Sequence, residues 1–429
     1  MSFLRRHSWI WISALGIVVR LMYALWLGEE LLSGDAFYYV DTAKSILDGE
    51  SYLPEWPPAL PYYLSIFGAI FGQGLWSWVF GMLFLYLLFN WVWKETASLF
   101  LKKKWVNLGM IVFALMPAFV HYGVAPLSQL PLAIIILALV HLLYANRRGW
   151  KMGLLLSIGV LFRSGTLSLF PLFLVYLLSK KHPREFFPFF LSFLVLIGIW
   201  QYKSWQMTER FVWINDFNSY NLYVGNTPWT PDYKTWWLGS HDERKNEKFT
   251  AYYSELDSIR SLPIETQSKV FGSRTFFYIR KDFGRFLYRS GNRLRCFLAF
   301  DSYTGARVYQ KNKLIGLVAL LIDASIYVFW GCFALLSLVK IRRAIFEQKF
   351  LCVILGLMLC FALPYVLAFA HPTYHFPLIP LLALLALKGI KQSGIQVLIQ
   401  EFKYSHILIL GIFFLIQLEW MWHMSTAFS

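Results

Sequence analysis

Asp35 is the side chain in this 429-residue sequence whose type and placement best suit acid–base chemistry. It lies in Ser33-Gly34-Asp35-Ala36-Phe37-Tyr38-Tyr39, soon after the first long apolar run. Apolar residues at 36, 39/40, 43 and 46/47 predict a short amphipathic helix, and Gly49 suits its end. An Asp at that helix start has two readings. It caps the free backbone N–H groups, or it acts as a base, accepting a proton from a reacting group. Asp41 and Asp48 read as solvated surface charges. Beyond Gly49, Trp56-Pro57-Pro58-Ala59-Leu60-Pro61 sets a rigid entry into a second apolar helix.

Cationic and aromatic side chains supply the other candidates. Arg20 and Arg163 sit inside or at the edge of apolar runs, where ionisable groups are costly and tend to be paired or functional. Arg20 can pair with Glu29, Glu30 or Asp35; Arg163 can bond helix-end carbonyls or a lipid phosphate. Arg274, Arg280, Lys281, Arg285, Arg289, Arg293 and Arg295 alternate with Phe and Tyr. That pattern is either a basic amphipathic helix on anionic headgroups or a site where one or two arginines hold a phosphate. His371, Tyr374 and His375 cluster near the end of another apolar run, as a substrate contact or as an interfacial belt. Pro372 interrupts the helical spacing that a two-histidine zinc site would use. Trp213, Trp229, Trp236 and Trp237 suit sugar stacking, but such residues more often form cores and interface anchors.

The elements that must position these residues are membrane helices. The chain is 58% hydrophobic, 19% aromatic and 15% charged, against about 25% charged in a soluble domain. About eleven apolar segments have span-like length and basic flanks, near 9–27, 75–93, 105–121, 128–145, 150–163, 165–179, 186–204, 314–339, 350–370, 376–388 and 405–423. The first lacks a small-residue cleavage site and is expected to be retained. The net charge of +16 fits basic cytoplasmic loops better than nucleic-acid binding. Arg5/Arg6, Lys94/Lys102/Lys103/Lys104, Arg147/Arg148/Lys151, Lys180/Lys181/Arg184, Lys340/Arg342/Arg343/Lys349 and Lys388/Lys391/Lys403 all fall on one side. The N-terminus is therefore expected in the cytoplasm, and two long segments, 28–74 and about 205–313, outside. Their aromatic content argues against disorder. Cys296, Cys332, Cys352 and Cys360 show no metal spacing, and three lie in apolar runs, so no disulfide framework is expected.

Gly34-Asp35-x-x-Tyr38-Tyr39, followed by Ala43, Leu47-x-Gly49 and Pro57-Pro58-x-x-Pro61, resembles the first outer loop of GT-C integral-membrane glycosyltransferases. The branch it is most similar to is the protein O-mannosyltransferase and lipid A aminoarabinose transferase group. Arg20-Leu21-x-Tyr23, Arg163-Ser164-Gly165, Asn221-Leu222-Tyr223-x-Gly225-Asn226-x-Pro228, Ile279-Arg280-Lys281-Asp282-Phe283-x-Arg285-Phe286 and Pro372-Thr373-Tyr374-His375-Phe376-Pro377 resemble later family segments in order and spacing. The resemblance implies an all-α polytopic GT-C-like fold with outward-facing interfacial helices: a membrane module over 1–205 with a catalytic first loop at 28–74, a mixed outer insertion over 206–312, and closing transmembrane helices over 313–429.

It also implies an activity: transfer of a sugar from a polyprenyl-phosphate donor to a lipid, glycan or protein acceptor outside the plasma (inner) membrane, with Asp35 as general base. Tyr38, Tyr39, Arg20, Arg163, Arg280, Lys281, Arg289, Arg293, His371, Tyr374 and His375 are the expected donor contacts, and Glu55, Trp56 and Gln129 the acceptor side. Membrane lipids, and no nucleic acid, are the remaining partners. Gln129 stands where relatives often carry a second acidic residue that positions the acceptor or a metal ion, and it cannot supply a carboxylate. No cofactor is therefore expected, and a divalent metal is disfavoured. The competing class is a transporter or flippase for a lipid-linked substrate, which should show repeat symmetry; the sequence shows no internal repeat.

Overall fold

The computed structural model describes residues 8–50, 52, 54–146, 148–179, 183–340, 349–393 and 404–428. Arg5, Arg6, Arg147, Lys180, Lys181, Arg342, Arg343 and Lys403, used above to orient the chain, lie outside the described residues. Regular structure among the described residues is helical, with no strand. Among the described residues, six stretches are long and apolar enough to cross a membrane: Ser8–Leu32, Leu75–Ser98, Arg184–Thr208, Lys313–Leu338, Pro372–Lys391 and Ile407–Met424. Ala59–Phe71, Gln129–Ala145, Gly149–Phe162, Ser164–Leu178 and Leu351–Leu367 are apolar but shorter.

The chain begins with α1 (Ser8–Leu27), a 3-10 turn (Gly28–Leu32) and α2 (Asp35–Asp48). Next come α3 (Ala59–Phe71), α4 (Leu75–Ser98), α5 (Lys103–Leu115) and α6 (Pro117–Tyr122). Then follow α7 (Gln129–His141), α8 (Gly149–Phe162), a 3-10 segment (Ser164–Leu169), α9 (Phe170–Ser179) and α10 (Pro183–Thr208). The core of this half is aromatic. Trp78, Tyr86, Phe89 and Trp93 of α4 are fully buried, and Phe89 packs against Phe113 and Phe119 at ring-centre distances of 5.4 and 5.2 Å.

The segment 105–121, read as one span, is broken into α5 and α6 at Pro117. A residue before proline avoids the helical region, and Met116 is extended (φ −64, ψ 122). Such a break leaves carbonyls at the end of α5 and N–H groups at the start of α6 without helical partners. Two buried polar side chains from distant helices satisfy several of them. Arg20 of α1 donates to the carbonyls of Phe113, Ala114 and Phe119 at 3.1, 3.3 and 2.7 Å. Asp323, from a later span, accepts from the Ala118 N–H at 3.0 Å. The Arg20 cation at the C-terminus of α5 also matches that helix's dipole.

The segment over 206–312, expected to be mixed, is helical among its described residues. It holds α11 (Phe217–Asn226), α12 (Trp237–Ser240), α13 (Thr250–Arg260), α14 (Ile264–Lys281), α15 (Phe283–Phe297) and α16 (Tyr303–Lys311). Tyr252, Leu256 and Ile259 recur at helical spacing on α13 and build a small separate core with Tyr223, Val224, Leu238, Phe249 and Phe271. The chain closes with α17 (Lys313–Lys340), α18 (Lys349–Leu367), a 3-10 segment (Pro372–Leu378), α19 (Ile379–Ser393) and α20 (Tyr404–Phe428). Gln417 of α20 accepts from the Phe300 N–H at 2.8 Å and donates to the Leu298 carbonyl at 2.9 Å, tying the last helix to the link between α15 and α16.

Candidate functional site

Asp35 is the first residue of α2, behind Gly34 at φ +63 and ψ −135, a conformation that suits glycine. A Cβ on Gly34 would also stand 3.2 Å from Nη2 of Arg307. The N-cap position before α2 is held by Gly34, so Asp35 is not the N-cap. The capping reading is thus corrected: the residue lines a cavity of about 590 Å³ together with Gln129, Trp236, Trp237, Tyr303, Arg307, His371 and Tyr374. Its side chain opens onto this space, while protein on the other sides displaces bulk water. That loss of solvation raises the Asp35 carboxyl above its ordinary range, and the nearby Arg163 and Arg307 guanidinium groups pull it partly back.

Arg163 and Arg307 stand far apart in the sequence. Arg163 is the extended residue between α8 and the Ser164–Leu169 segment (φ −161, ψ 115). Its guanidinium lies 4.2 Å from the ring centre of Tyr374 and 5.4 Å from that of Tyr365, and Nη1 is 3.5 Å from the Ser128 hydroxyl. Arg307, on α16, donates from Nε to the Tyr303 hydroxyl at 3.2 Å. Neither belongs to an ion pair among the described residues, whereas Lys311, one turn on from Arg307, pairs with Glu30 at 3.2 Å. Tyr303 stacks on Tyr122 with ring centres 6.4 Å apart, and Tyr122 donates to Asp301 at 2.7 Å. Asp301 also accepts from the Tyr303 N–H at 2.9 Å, which fixes the start of α16. Burial pushes the Asp301 carboxyl up to about 6 against these two hydrogen bonds.

The rest of the cavity is aromatic. The Trp236 ring is surrounded by Trp237, His241, His371, Trp420 and His423 at 5.3 to 6.3 Å between ring centres. Lys234 lies 4.7 Å from the Trp237 ring centre, and burial lowers its ammonium below the ordinary lysine range. His371 is pushed down to about 4 by burial and by His241, so it is a neutral donor–acceptor near pH 7, with Nδ1 3.0 Å from the Thr373 hydroxyl. Gln129, at the start of α7, has Oε1 without a hydrogen-bond partner among the described residues and lines the same space. The combination offers one carboxylate, several cations and flat ring faces. It can deprotonate a hydroxyl or amine, hold an anion, and stack a sugar.

Several expected site residues lie elsewhere. Arg20 is fully buried in the α5–α6 break, with its guanidinium 3.5 Å from the Tyr86 ring centre; it pairs with none of Glu29, Glu30 or Asp35. Arg289 and Arg293 are buried and bond backbone carbonyls: Arg289 holds Thr227 and Thr230, and Arg293 holds Gly225 and Leu367. Both brace the insertion rather than the cavity. Arg280 and Lys281 are exposed at the end of α14 and do not line the cavity either. His375 is buried between Phe297 and Tyr327, with ring centres 6.1 and 4.6 Å away. Trp56 is stacked between Tyr38 and Phe217 at 5.5 and 5.3 Å, and Asn215 bonds the neighbouring Glu55 carbonyl at 3.0 Å. These residues clamp the first loop to the insertion, outside the cavity lining. Tyr39, one turn beyond Asp35, is buried beside the same tryptophan.

Arg307, Lys234, Tyr303, His241 and His423 were not legible as site residues. Only the Tyr303/Arg307 spacing of one helical turn was a usable signal. Among the described residues, no three His, Cys, Asp or Glu side chains group closely enough to hold a metal ion. No family model, no curated protein and no solved structure matches the chain.

Proposed function

We propose that the chain is a GT-C-type glycosyltransferase that takes a sugar from a polyprenyl-phosphate donor at the outer face of the plasma membrane. The observation that carries this reading is Asp35: a carboxylate at the first position of α2, on a cavity and near two guanidinium groups that form no ion pair among the described residues. In the proposed reaction Asp35 accepts the proton of the acceptor hydroxyl or amine as that atom attacks the anomeric carbon. The bond from that carbon to the phosphate oxygen breaks with its electron pair going to oxygen. The anomeric centre is inverted, and Arg163 and Arg307 hold the phosphate that leaves. Gln129 and the Trp236–Trp237 wall orient the sugar and acceptor. The N-terminus is cytoplasmic, and the first loop and insertion face outward, following the basic flanks.

The test is mass spectrometry of envelope glycolipids and glycoproteins from cells carrying the wild type, Asp35→Asn or no protein. A sugar-sized mass increment should appear with the wild type and be absent in the other two, while Asp35→Asn accumulates in the membrane with unchanged melting. Full modification by Asp35→Asn would remove the base assignment. A lipid-linked sugar that changes sides but is never transferred would favour a flippase.

A further inference from the structure

A second concavity, of about 280 Å³, lies where α14 meets α15, and Thr227, Tyr278, Lys281, Asp282, Arg285 and Phe286 line it. It does not share a lining residue with the Asp35 cavity. Next to it the two helices expose Phe276, Phe277, Phe283, Leu287 and Tyr288, each more than half accessible. Five such side chains in 13 residues on two successive helices leave more apolar surface uncovered than a water-facing exterior ordinarily does. α15 packs on α18, Arg293 donates to the Leu367 carbonyl at 3.0 Å, and α18 exposes Leu359, Leu363 and Leu367. The segment 264–297 carries eight basic and two acidic residues. Of the acidic ones, Asp282 caps α15 by accepting from the Arg285 N–H at 2.9 Å. Lys281 is exposed and in no ion pair among the described residues.

We infer that this cleft seats the headgroup of an anionic phospholipid, with the aromatic face entering the outer part of the bilayer beside α18. Lys281 and the free edge of Arg285 meet the phosphate, Arg280 adds to the local field, and Phe283, Leu287 and Tyr288 lie among the acyl chains. The site bears on the cavity through the backbone. Arg285 and Arg289 both bond Asp232, at 2.6 and 2.8 Å, and Arg285 donates to the Pro228 carbonyl at 3.0 Å. The same stretch, 227–237, carries Lys234, Trp236 and Trp237 into the cavity wall. A lipid at Arg285 therefore steadies that wall. The site stands whether or not the transfer reading does.

The test is native mass spectrometry of the full-length protein with added phosphatidylglycerol or phosphatidylcholine, comparing the wild type with Arg280→Glu/Lys281→Glu. The wild type should retain phosphatidylglycerol, and the variant should lose that adduct at least about tenfold, with phosphatidylcholine retention and melting unchanged. Should the reversal fail to fold, Arg280→Gln/Lys281→Gln keeps the comparison, with a smaller loss in the same direction. Equal phosphatidylglycerol retention by the variant overturns the site. So does stripping of the adduct by millimolar inorganic phosphate, which would mean a free-phosphate pocket.

Discussion

At the scale of single residues, one carboxylate is tuned by two cations that the sequence holds far apart. Loss of solvation at the cavity wall raises Asp35, and Arg163 and Arg307 lower it. A base must be ionised to accept a proton, so its activity is present above its pKa and lost as pH falls through it. Because the net direction is upward, the acid limb of a transfer-rate profile should lie above the ordinary carboxylate range. Arg307→Met removes a group that lowers the Asp35 pKa, so it should move that limb to higher pH as well as slow transfer. A rate profile on purified protein decides this, and a limb that stays in place would detach Arg307 from Asp35. Asp35→Asn should cost about 100-fold or more in rate, the lower end of what a positioned base supplies.

Elements explain why buried charges occur where apolar residues would be expected. Pro117 forces a break, and the break needs donors for the free carbonyls at one helix end and an acceptor for the free N–H groups at the other. Asp323→Ala leaves the buried Ala118 N–H without its acceptor and should cost about 1–3 kcal/mol, read as a lower melting temperature. Arg20→Lys keeps the charge but not the planar fork that reaches several carbonyls. It should destabilise by about 1–3 kcal/mol, an effect visible in melting whether or not substrate is present. Gly225 of α11 illustrates the joint between insertion and membrane helices. A Cβ there would lie 1.7 Å from the Ala368 carbonyl oxygen. Gly225→Ala should therefore push α11 off the end of α18 at about 1–3 kcal/mol, detectable as faster limited proteolysis within 206–312.

For the whole molecule, the question is which faces meet lipid and which meet water. The proposed orientation puts the cavity mouth outside and the short basic turns inside. In a background with Cys296, Cys332, Cys352 and Cys360 replaced by serine or alanine, Ser240→Cys at the cavity mouth should react with a membrane-impermeant thiol reagent in intact cells. Lys102→Cys, between α4 and α5, should react only after permeabilisation. The reverse pattern would invert the molecule and move the cavity to the cytoplasmic face.

Long apolar runs determined the helical membrane-type architecture, because no soluble packing needs so many of them. The Gly34-Asp35 start of α2 was legible for a similar reason: it depends on local backbone chemistry. Residues separated by hundreds of positions were not. Arg163 and Arg307 approach Asp35 only because α8, α16 and the 372–378 turn converge there, and no periodicity records that convergence. Arg20, Arg289 and Arg293 look in the sequence like Arg163, a cation among apolar neighbours. Tertiary structure separates them, because orphaned carbonyls at helix ends engage the first three, whereas Arg163 lies over the Tyr374 and Tyr365 rings beside Asp35.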